Sequence, residues 1–421
     1  MKKLATSLLV AQLLAGTLMP SYTVAAQAKT DSCAPELIAM TEAQNNNLAA
    51  SMQRVGIDIF KELSAKKPEV NCFISPASIG ICLQLVLAGA NGQTKADMCK
   101  AMHLSEKELR ADGMKNLMHD LKTDDAKVTL EIANAVFADK RLTLKDSFVL
   151  SARENFDSEM ATEDFHSPSA LAHINSWVDK KTHGHITSLT SKLPAASDAV
   201  LLNAVYFFGK WTKPFDVQRT EEGDFHRADS TSKKLPMMHS SGKFQYLENE
   251  LFQAVELPYG GGRYQALIFL PKPAVKLAQL RSNISSENWT QWLQSFSTKS
   301  GALQLPRYKM EFGSSLKQVL AQLGFGNMFS GAADFSGMNT PPPALYVADV
   351  IHKTTLSVDE EGTVATAVTG AIFAARAMRR EEPPFQMIVD RPFIFAIQDT
   401  ATNLPLFLGA VYDPDAADKP E

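Results

Sequence analysis

Cysteine is scarce in this sequence: four in 421 residues, at positions 33, 72, 82 and 99. That is too few for the disulfide framework of a small secreted scaffold, and the pairing of four cysteines is not readable from sequence. An excess of charge is missing too. Lys and Arg number 42 against 46 Asp and Glu, a formal net charge of −4, so the basic stripe of a nucleic-acid binder is absent. Beyond the N-terminus no apolar run is long enough to span a bilayer. H-E-x-x-H, G-x-x-x-x-G-K-[ST], G-x-S-x-G and C-x-x-C are all absent, which removes support for a zinc peptidase, a P-loop nucleotidase, an α/β-hydrolase and a thiol oxidoreductase. His183-Gly184-His185 is the one histidine cluster, and without a third ligand close in sequence it reads as a polar loop, not a metal site. Gly260-Gly261-Gly262 reads as a hairpin turn, because no helix start follows it as a phosphate cradle requires. No fixed-period repeat is present, which excludes a solenoid or propeller. Neither a metal nor a cofactor is expected.

What is present suits a globular chain, with 45% hydrophobic and 21% charged residues. Lys2 and Lys3 precede an apolar stretch over residues 4–19, then Pro20 and the small-residue end Ala26-Gln27-Ala28. A basic start, an apolar middle and an A-x-A-like end predict a secretory signal peptide over residues 1–28. Export to the periplasm or the exterior follows from it. Removing 28 of 421 residues leaves 393 (29–421), and losing two lysines makes the balance 40 against 46, or −6. In an oxidising compartment Cys33 has the option of tying the mature start to Cys99. Cys72 and Cys82 read as small buried hydrophobes.

Length alone suggests two or three domains, but no linker-like break interrupts residues 40–415, so a single large domain is expected. Residues 48–64 have helical apolar spacing at Leu48, Met52, Val55, Ile59, Phe60 and Leu63. Ser75-Pro76, after a short strand at 72–74, signals a helix start running to Gly89, and Ser167-Pro168 repeats that signal. Strands are predicted over 128–136, 199–208, 252–257, 264–270, 345–358, 393–397 and 405–411, and a helix over 316–323 ending at Gly324. Asn203, in the apolar strand 199–208, needs a polar partner. The mixture lacks strict βαβ alternation, which predicts an α+β class.

One segment is unusual. Residues 363–375 hold neither charge nor proline, and one alternating set, Thr363, Ala365, Ala367, Thr369, Ala371 and Phe373, is small at five of six positions. Such a stretch can enter a sheet over an already packed core. Directly after it come Arg376-Ala377-Met378-Arg379-Arg380-Glu381-Glu382-Pro383-Pro384, a charged and extended run.

Over about residues 48–413 the chain resembles the serpins. The resemblance rests on long motifs in the family's order: residues 71–79 (Asn71-Cys72-Phe73-Ile74-Ser75-Pro76-Ala77-Ser78-Ile79), 202–211 (Leu202 to Trp211), Leu305-Pro306-Arg307, Leu323-Gly324, Met328-Phe329, 352–363 (His352 to Thr363) and Asp390-Arg391-Pro392-Phe393. It implies one domain with three β-sheets, about nine helices and an exposed reactive-centre loop, here about residues 360–391. It implies a hinge at Glu360, Glu361, Gly362, Thr363, Val364, Ala365, Thr366, Ala367 and Val368. Ser75, Ser78, Asn203 and His352 match the polar shutter cluster beneath the central sheet, which offers His352 as the partner of Asn203. Trp211 matches the aromatic where the loop first inserts, and Arg307 and Glu360 match an ion pair there.

In this family the loop is cleaved as a substrate and inserts while still esterified to the protease, so the protein is an inhibitor and not an enzyme. Family spacing, counting from Glu360 as the first residue, makes Arg376 the seventeenth and the bait bond Arg376-Ala377. Anchoring on Pro383-Pro384 favours Arg379 or Arg380, and Met378 offers a shifted bond. The resemblance therefore implies a trypsin-like serine protease as partner, with an elastase-like enzyme or a cysteine protease as further targets. A monomer that engages neither nucleic acid nor membrane is expected. Residues 113–127 mix Lys115, Lys122 and Lys127 with Asp120, Asp124 and Asp125, which does not indicate a polyanion cofactor. The alternative is a non-inhibitory member of the same fold, acting as a binding or chaperone-like protein.

Overall fold

The two serine–proline pairs begin helices as their chemistry demands. In the computed structural model, Ser75 sits in extended backbone and its Oγ accepts from the Ser78 N–H, while Pro76 occupies the first turn, where no intrahelical N–H bond is lost. Ser167 does the same through the Ser169 N–H. The structure describes residues 34–105, 111–189, 191–192, 199–340, 345–363 and 383–419. The expected leader, Cys33 and the loop from Val364 to Glu382, with Arg376, Ala377, Met378, Arg379 and Arg380, lie outside these residues. The chain divides into units Met1–Met40 and Thr41–Glu421, and every site below belongs to the second.

In chain order the elements are α1 (Ala34–Lys66), β1 (Cys72–Ile74), α2 (Pro76–Ala88), α3 (Gly92–Ala101), α4 (Ala111–Asp120), β2 (Val128–Asp139), α5 (Asp146–Phe156), β3 (Ser158–Glu163), α6 (Pro168–Lys181) and β4 (Ala199–Lys210). A run of strands follows: β5 (Glu221–His226), β6 (Ser232–Glu248), β7 (Phe252–Tyr259) and β8 (Tyr264–Pro271). Then come α7 (Leu277–Ser282), α8 (Ser286–Gln294), β9 (Ser297–Pro306), β10 (Tyr308–Ser315), α9 (Lys317–Leu320), β11 (Ile351–Val358), β12 (Gly362–Thr363), β13 (Phe385–Ile388), β14 (Phe393–Asp399), β15 (Pro405–Val411) and β16 (Asp415–Ala416).

These strands make three sheets among the described residues. Nine form one sheet in the order β1-β15-β14-β8-β7-β6-β9-β13, with β5 on β6; three form β11-β10-β16; four form β12-β4-β2-β3. The helix α2 is apolar all round and nearly all of it is buried, which marks it as a core helix and not a surface one. The main core also takes in Met52, Phe60, Phe73, Phe207 and Phe395. A second cluster lies on the opposite face of the four-stranded sheet. There Ile174, Trp177 and Val178 of α6 and Ile186 beyond it meet Ala135, Phe137, Val200, Leu202 and Ala204. The alternation along β4 divides the two: Val200, Leu202 and Ala204 face α6, while Ala199, Val205 and Phe207 face the main core.

Two sequence expectations are corrected. The strand expected over 345–358 begins only at Ile351. Leu345, Val347 and Val350 are buried, but the Val347 N–H donates to the carbonyl of Met328, outside any ladder; apolar character reported burial there, not strand. The helix expected over 316–323 is α-helical only through α9, then widens into a π-turn that ends at Gly324, whose φ of +101° needs glycine. Among the described residues no helix is long and apolar enough to cross a membrane.

Candidate functional site

The charge-bearing hinge folds inward. Asp359, Glu360 and Glu361 are consecutive carboxylates, and they are 5%, 0% and 5% exposed. Burial of three acids in a row requires partners, since an uncompensated ion in a low-dielectric site is costly. Glu360 finds two. Arg307, at the end of β9, donates from Nη1 to Glu360 Oε1 at 3.1 Å, and the Thr220 hydroxyl donates to the same oxygen at 2.7 Å. The guanidinium is itself 6% exposed, so this is a buried pair.

Asp359 is held by backbone instead. Its Oδ1 accepts from the N–H groups of Glu361 (2.9 Å) and Gly362 (3.1 Å), closing a tight turn. Burial pushes its carboxyl up to about 6, with the neighbouring charges of Glu360 and Glu361 adding to the rise and the two N–H bonds opposing it. The same turn is pinned by Trp211, whose indole Nε1 donates to the Asp359 carbonyl at 2.9 Å and whose ring stacks on Tyr259 at 4.4 Å. The Trp211 N–H donates to the Glu361 carbonyl and the Phe215 N–H to that of Glu360, both at 2.7 Å.

Beyond this turn the chain starts to pair with the sheet. Gly362 lies opposite Lys210 and Thr363 opposite Gly209, antiparallel to β4. A side chain at position 362 would meet the Gly209 carbonyl oxygen and come within 2.7 Å of the Lys210 Cα, so glycine is required for this approach of backbone to backbone. Among the described residues β4 and β11 belong to different sheets with no ladder between them. β12 therefore stands at one end of a seam between two half-sheets.

The polar cluster at the β1–α2 junction is assembled from both chain halves. His352, on the buried face of β11, accepts at Nε2 from the Ser75 N–H (3.1 Å). Full burial depresses its imidazole to about 4, so it is neutral and able to accept. Thr354, two residues on, donates its hydroxyl to the Phe73 carbonyl at 2.6 Å. The side chain of Asn203, for which His352 was the expected partner, lies outside the described residues; Nε2 of that histidine is taken up by Ser75. Cys72 and Cys82 are buried free thiols, both pushed up to about 12 by burial, which leaves them unreactive small hydrophobes. Cys99 is buried as well. Among the described residues no group of three or more His, Cys, Asp or Glu is arranged to hold a metal.

The profile of the family described as Serpin (serine protease inhibitor) matches residues 50–414. The chain belongs to the serpin family. The leukocyte elastase inhibitor of Bos taurus is 35% identical over 379 residues, covering 87% of this chain and 99% of the relative. Among solved structures, the thermophilic serpin Tengpin in its native state shares 27% identity at a TM-score of 0.80, over 87% of this chain and 94% of that one. Human thyroxine-binding globulin shares 25% identity at a TM-score of 0.81, over 88% and 100%. The α+β serpin fold is thus the fold of this chain, and the family's description is that of protease inhibitors, not enzymes.

Serpin spacing in the sequence located Glu360, Arg307, Trp211, Ser75, Ser78 and His352, and the structure brings them into two groups, one around Arg307–Glu360–Trp211 and one around Ser75–Ser78–His352. Sequence reasoning missed Thr220, Asp359 and Thr354. The run Asp359-Glu360-Glu361-Gly362 carried a turn signal, but nothing in it announced that all three acids face inward.

Proposed function

We propose that this serpin is an exported inhibitor of trypsin-like serine proteases that acts as a suicide substrate through the bond Arg376-Ala377. The protease serine Oγ attacks the Arg376 carbonyl, the Ala377 nitrogen leaves with a proton as a free amine, and Arg376 remains as an ester. An arginine at the bait position suits a specificity pocket with an acidic floor. Insertion of the freed arm then removes the ester from productive geometry.

The observation that carries this reading is the antiparallel start of β12 on β4 beside an unladdered seam. Continuing that register pairs Thr366 with Tyr206 and Phe373 with Ala199, so the uncharged arm 363–375 spans the whole of β4. Arg376 then falls just beyond the far end of the sheet, where an attached protease has been carried the length of the strand, about 40 Å at 3.4 Å per residue. The small residues Ala365, Ala367 and Ala371 suit insertion over a packed core. The name of the bovine relative, an elastase inhibitor, supports Met378 as a second bait position. The competing reading, a non-inhibitory carrier, has thyroxine-binding globulin as its structural parallel, and the small uncharged arm favours insertion over it.

Incubation with trypsin, resolved by denaturing electrophoresis, tests the proposal. A complex stable to SDS is expected, with a released C-terminal fragment beginning at Ala377. Arg376→Ala should lower trypsin inhibition at least about tenfold, the loss of a bidentate ion pair in the specificity pocket. Thr363→Arg should convert the inhibitor into a cleaved substrate, since a charge cannot enter the sheet cheaply. A fragment beginning at Arg380 or Glu381 would move the bait bond; cleavage without complex would favour the carrier.

A further inference from the structure

A cavity of about 430 Å³ is bounded on one side by Trp211, and the chemistry above does not use it. Trp211, Phe215, Phe244 and Leu257 give it apolar walls, and all four side chains are buried. Ring contacts fix these walls: Phe215 meets Trp211 edge-on at 6.3 Å, and Phe244 meets Phe385 at 5.7 Å. Lys213 and Lys243 also line the cavity, and both are exposed, which places them at its mouth. Lys213 donates from Nζ to the Ser241 carbonyl at 2.7 Å. β6 bends around that ammonium at Gly242 (φ 148°), where a Cβ would come within 3.0 Å of it. The result is a formed pocket of the size that takes a small organic molecule.

One group lining this pocket lacks a partner. Glu256 stands within β7, half-buried, and burial alone pushes its carboxyl up to about 7. Among the described residues no hydrogen bond or ion pair reaches that carboxyl. Its neighbours across the ladders do not supply one. Leu267 on β8 is apolar, and Gln245 on β6 gives its amide to Thr298 Oγ1 at 3.3 Å. Buried polar groups are as a rule hydrogen-bonded, and a carboxyl left bare beside an apolar wall costs free energy. The fold bears that cost before any ligand arrives, so an entering cation meets a carboxylate already stripped of much of its water.

We infer that this pocket binds a small primary monoamine, with the ammonium on Glu256 and an apolar or aromatic body between Trp211, Phe215 and Phe244. An ammonium supplies the charge-assisted hydrogen bond that Glu256 lacks, and the aromatic faces attract a cation as well as an apolar body. A neutral alcohol of the same shape fills the walls but leaves the carboxylate without its counter-charge. Lys213 and Lys243 set the limit on charge. A second positive group on the ligand would extend back to the mouth and meet them, so a polyamine is disfavoured. Glu256 is thus the anchor, the aromatic walls select the body, and the two lysines select for a single charge. The inference does not depend on loop insertion.

The test titrates the full chain with phenethylamine in a calorimeter at about pH 8, where the Glu256 carboxyl is ionised and a primary amine is protonated. Saturable binding at millimolar concentration or below is expected. Phenethyl alcohol has the same body without the charge, and putrescine has charge without the ring; each should bind at least about tenfold more weakly. Glu256→Gln keeps the shape of the side chain and removes its charge. It should weaken phenethylamine about tenfold or more and leave phenethyl alcohol unchanged. No saturable binding, an alcohol or a diamine as tight as the monoamine, or an unchanged amine affinity in Glu256→Gln would each overturn the inference. None of these outcomes bears on loop insertion, which formation of the trypsin complex tests separately.

Discussion

Replacing Arg307 by methionine should destabilise the native protein more than any single change at the hinge, and the reason is electrostatic. Methionine keeps most of the aliphatic volume but removes the guanidinium bonded to Glu360. Among the described residues Glu360 then keeps only the Thr220 hydroxyl, fully buried beside Asp359 and Glu361. Breaking a buried pair from one side costs about 3–5 kcal/mol, and the adjacent carboxylates argue for the upper end. Guanidinium-induced unfolding followed by tryptophan emission is a suitable assay, since Trp211 reports directly on the Asp359 turn. The double variant Arg307→Met/Glu360→Leu removes both charges and should recover most of the loss, as a buried pair exchanged for apolar packing is close to neutral. A loss below about 1 kcal/mol, the range of an exposed pair, or a double variant whose cost is the sum of the two singles, would refute the reasoning.

Two titrating groups oppose one another in the pH profile of stability. Asp359 is raised from 3.8 to about 6, so the folded state binds more protons between those values and stability falls as pH rises through them, by up to about 3 kcal/mol. His352 is lowered from 6.5 to about 4, so the folded state binds fewer protons there and stability rises with pH by a similar amount. Unfolding of Asp359→Asn from pH 4 to 6 should therefore show a steeper gain with pH than wild type; parallel curves would contradict the assignment. Gly362→Ala forces a methyl group against the backbone of Gly209 and Lys210, so the bond from the Trp211 N–H to Glu361 should weaken and its amide exchange more quickly. Unchanged protection at Trp211 would show that β12 does not depend on that close approach.

Local chemistry was readable from sequence wherever neighbours in the chain supply it. Ser75-Pro76 and Ser167-Pro168 began helices because cap and proline act within one turn. The apolar run at 199–208 became β4, a strand covered on both faces. The uncharged arm 363–375 and the arginine after it were visible as composition, and the motif order carried the family. Apolar character misled at 345–350, where burial occurs without a ladder.

What only the tertiary structure decided is which distant groups share a site. Arg307 reaches Glu360 across 53 positions and Thr220 reaches it across 140. A run of three acids looks solvated in sequence, and only the enclosing elements bury it and lift Asp359 to about 6. Glu256 looks like an ordinary strand residue for the same reason, since Gln245 and Leu267 come beside it only when the sheet forms. Capping and periodicity act over a few residues and are written in order along the chain. Desolvation, ion pairing and strand register depend on what packs against a residue, and that is settled by the fold.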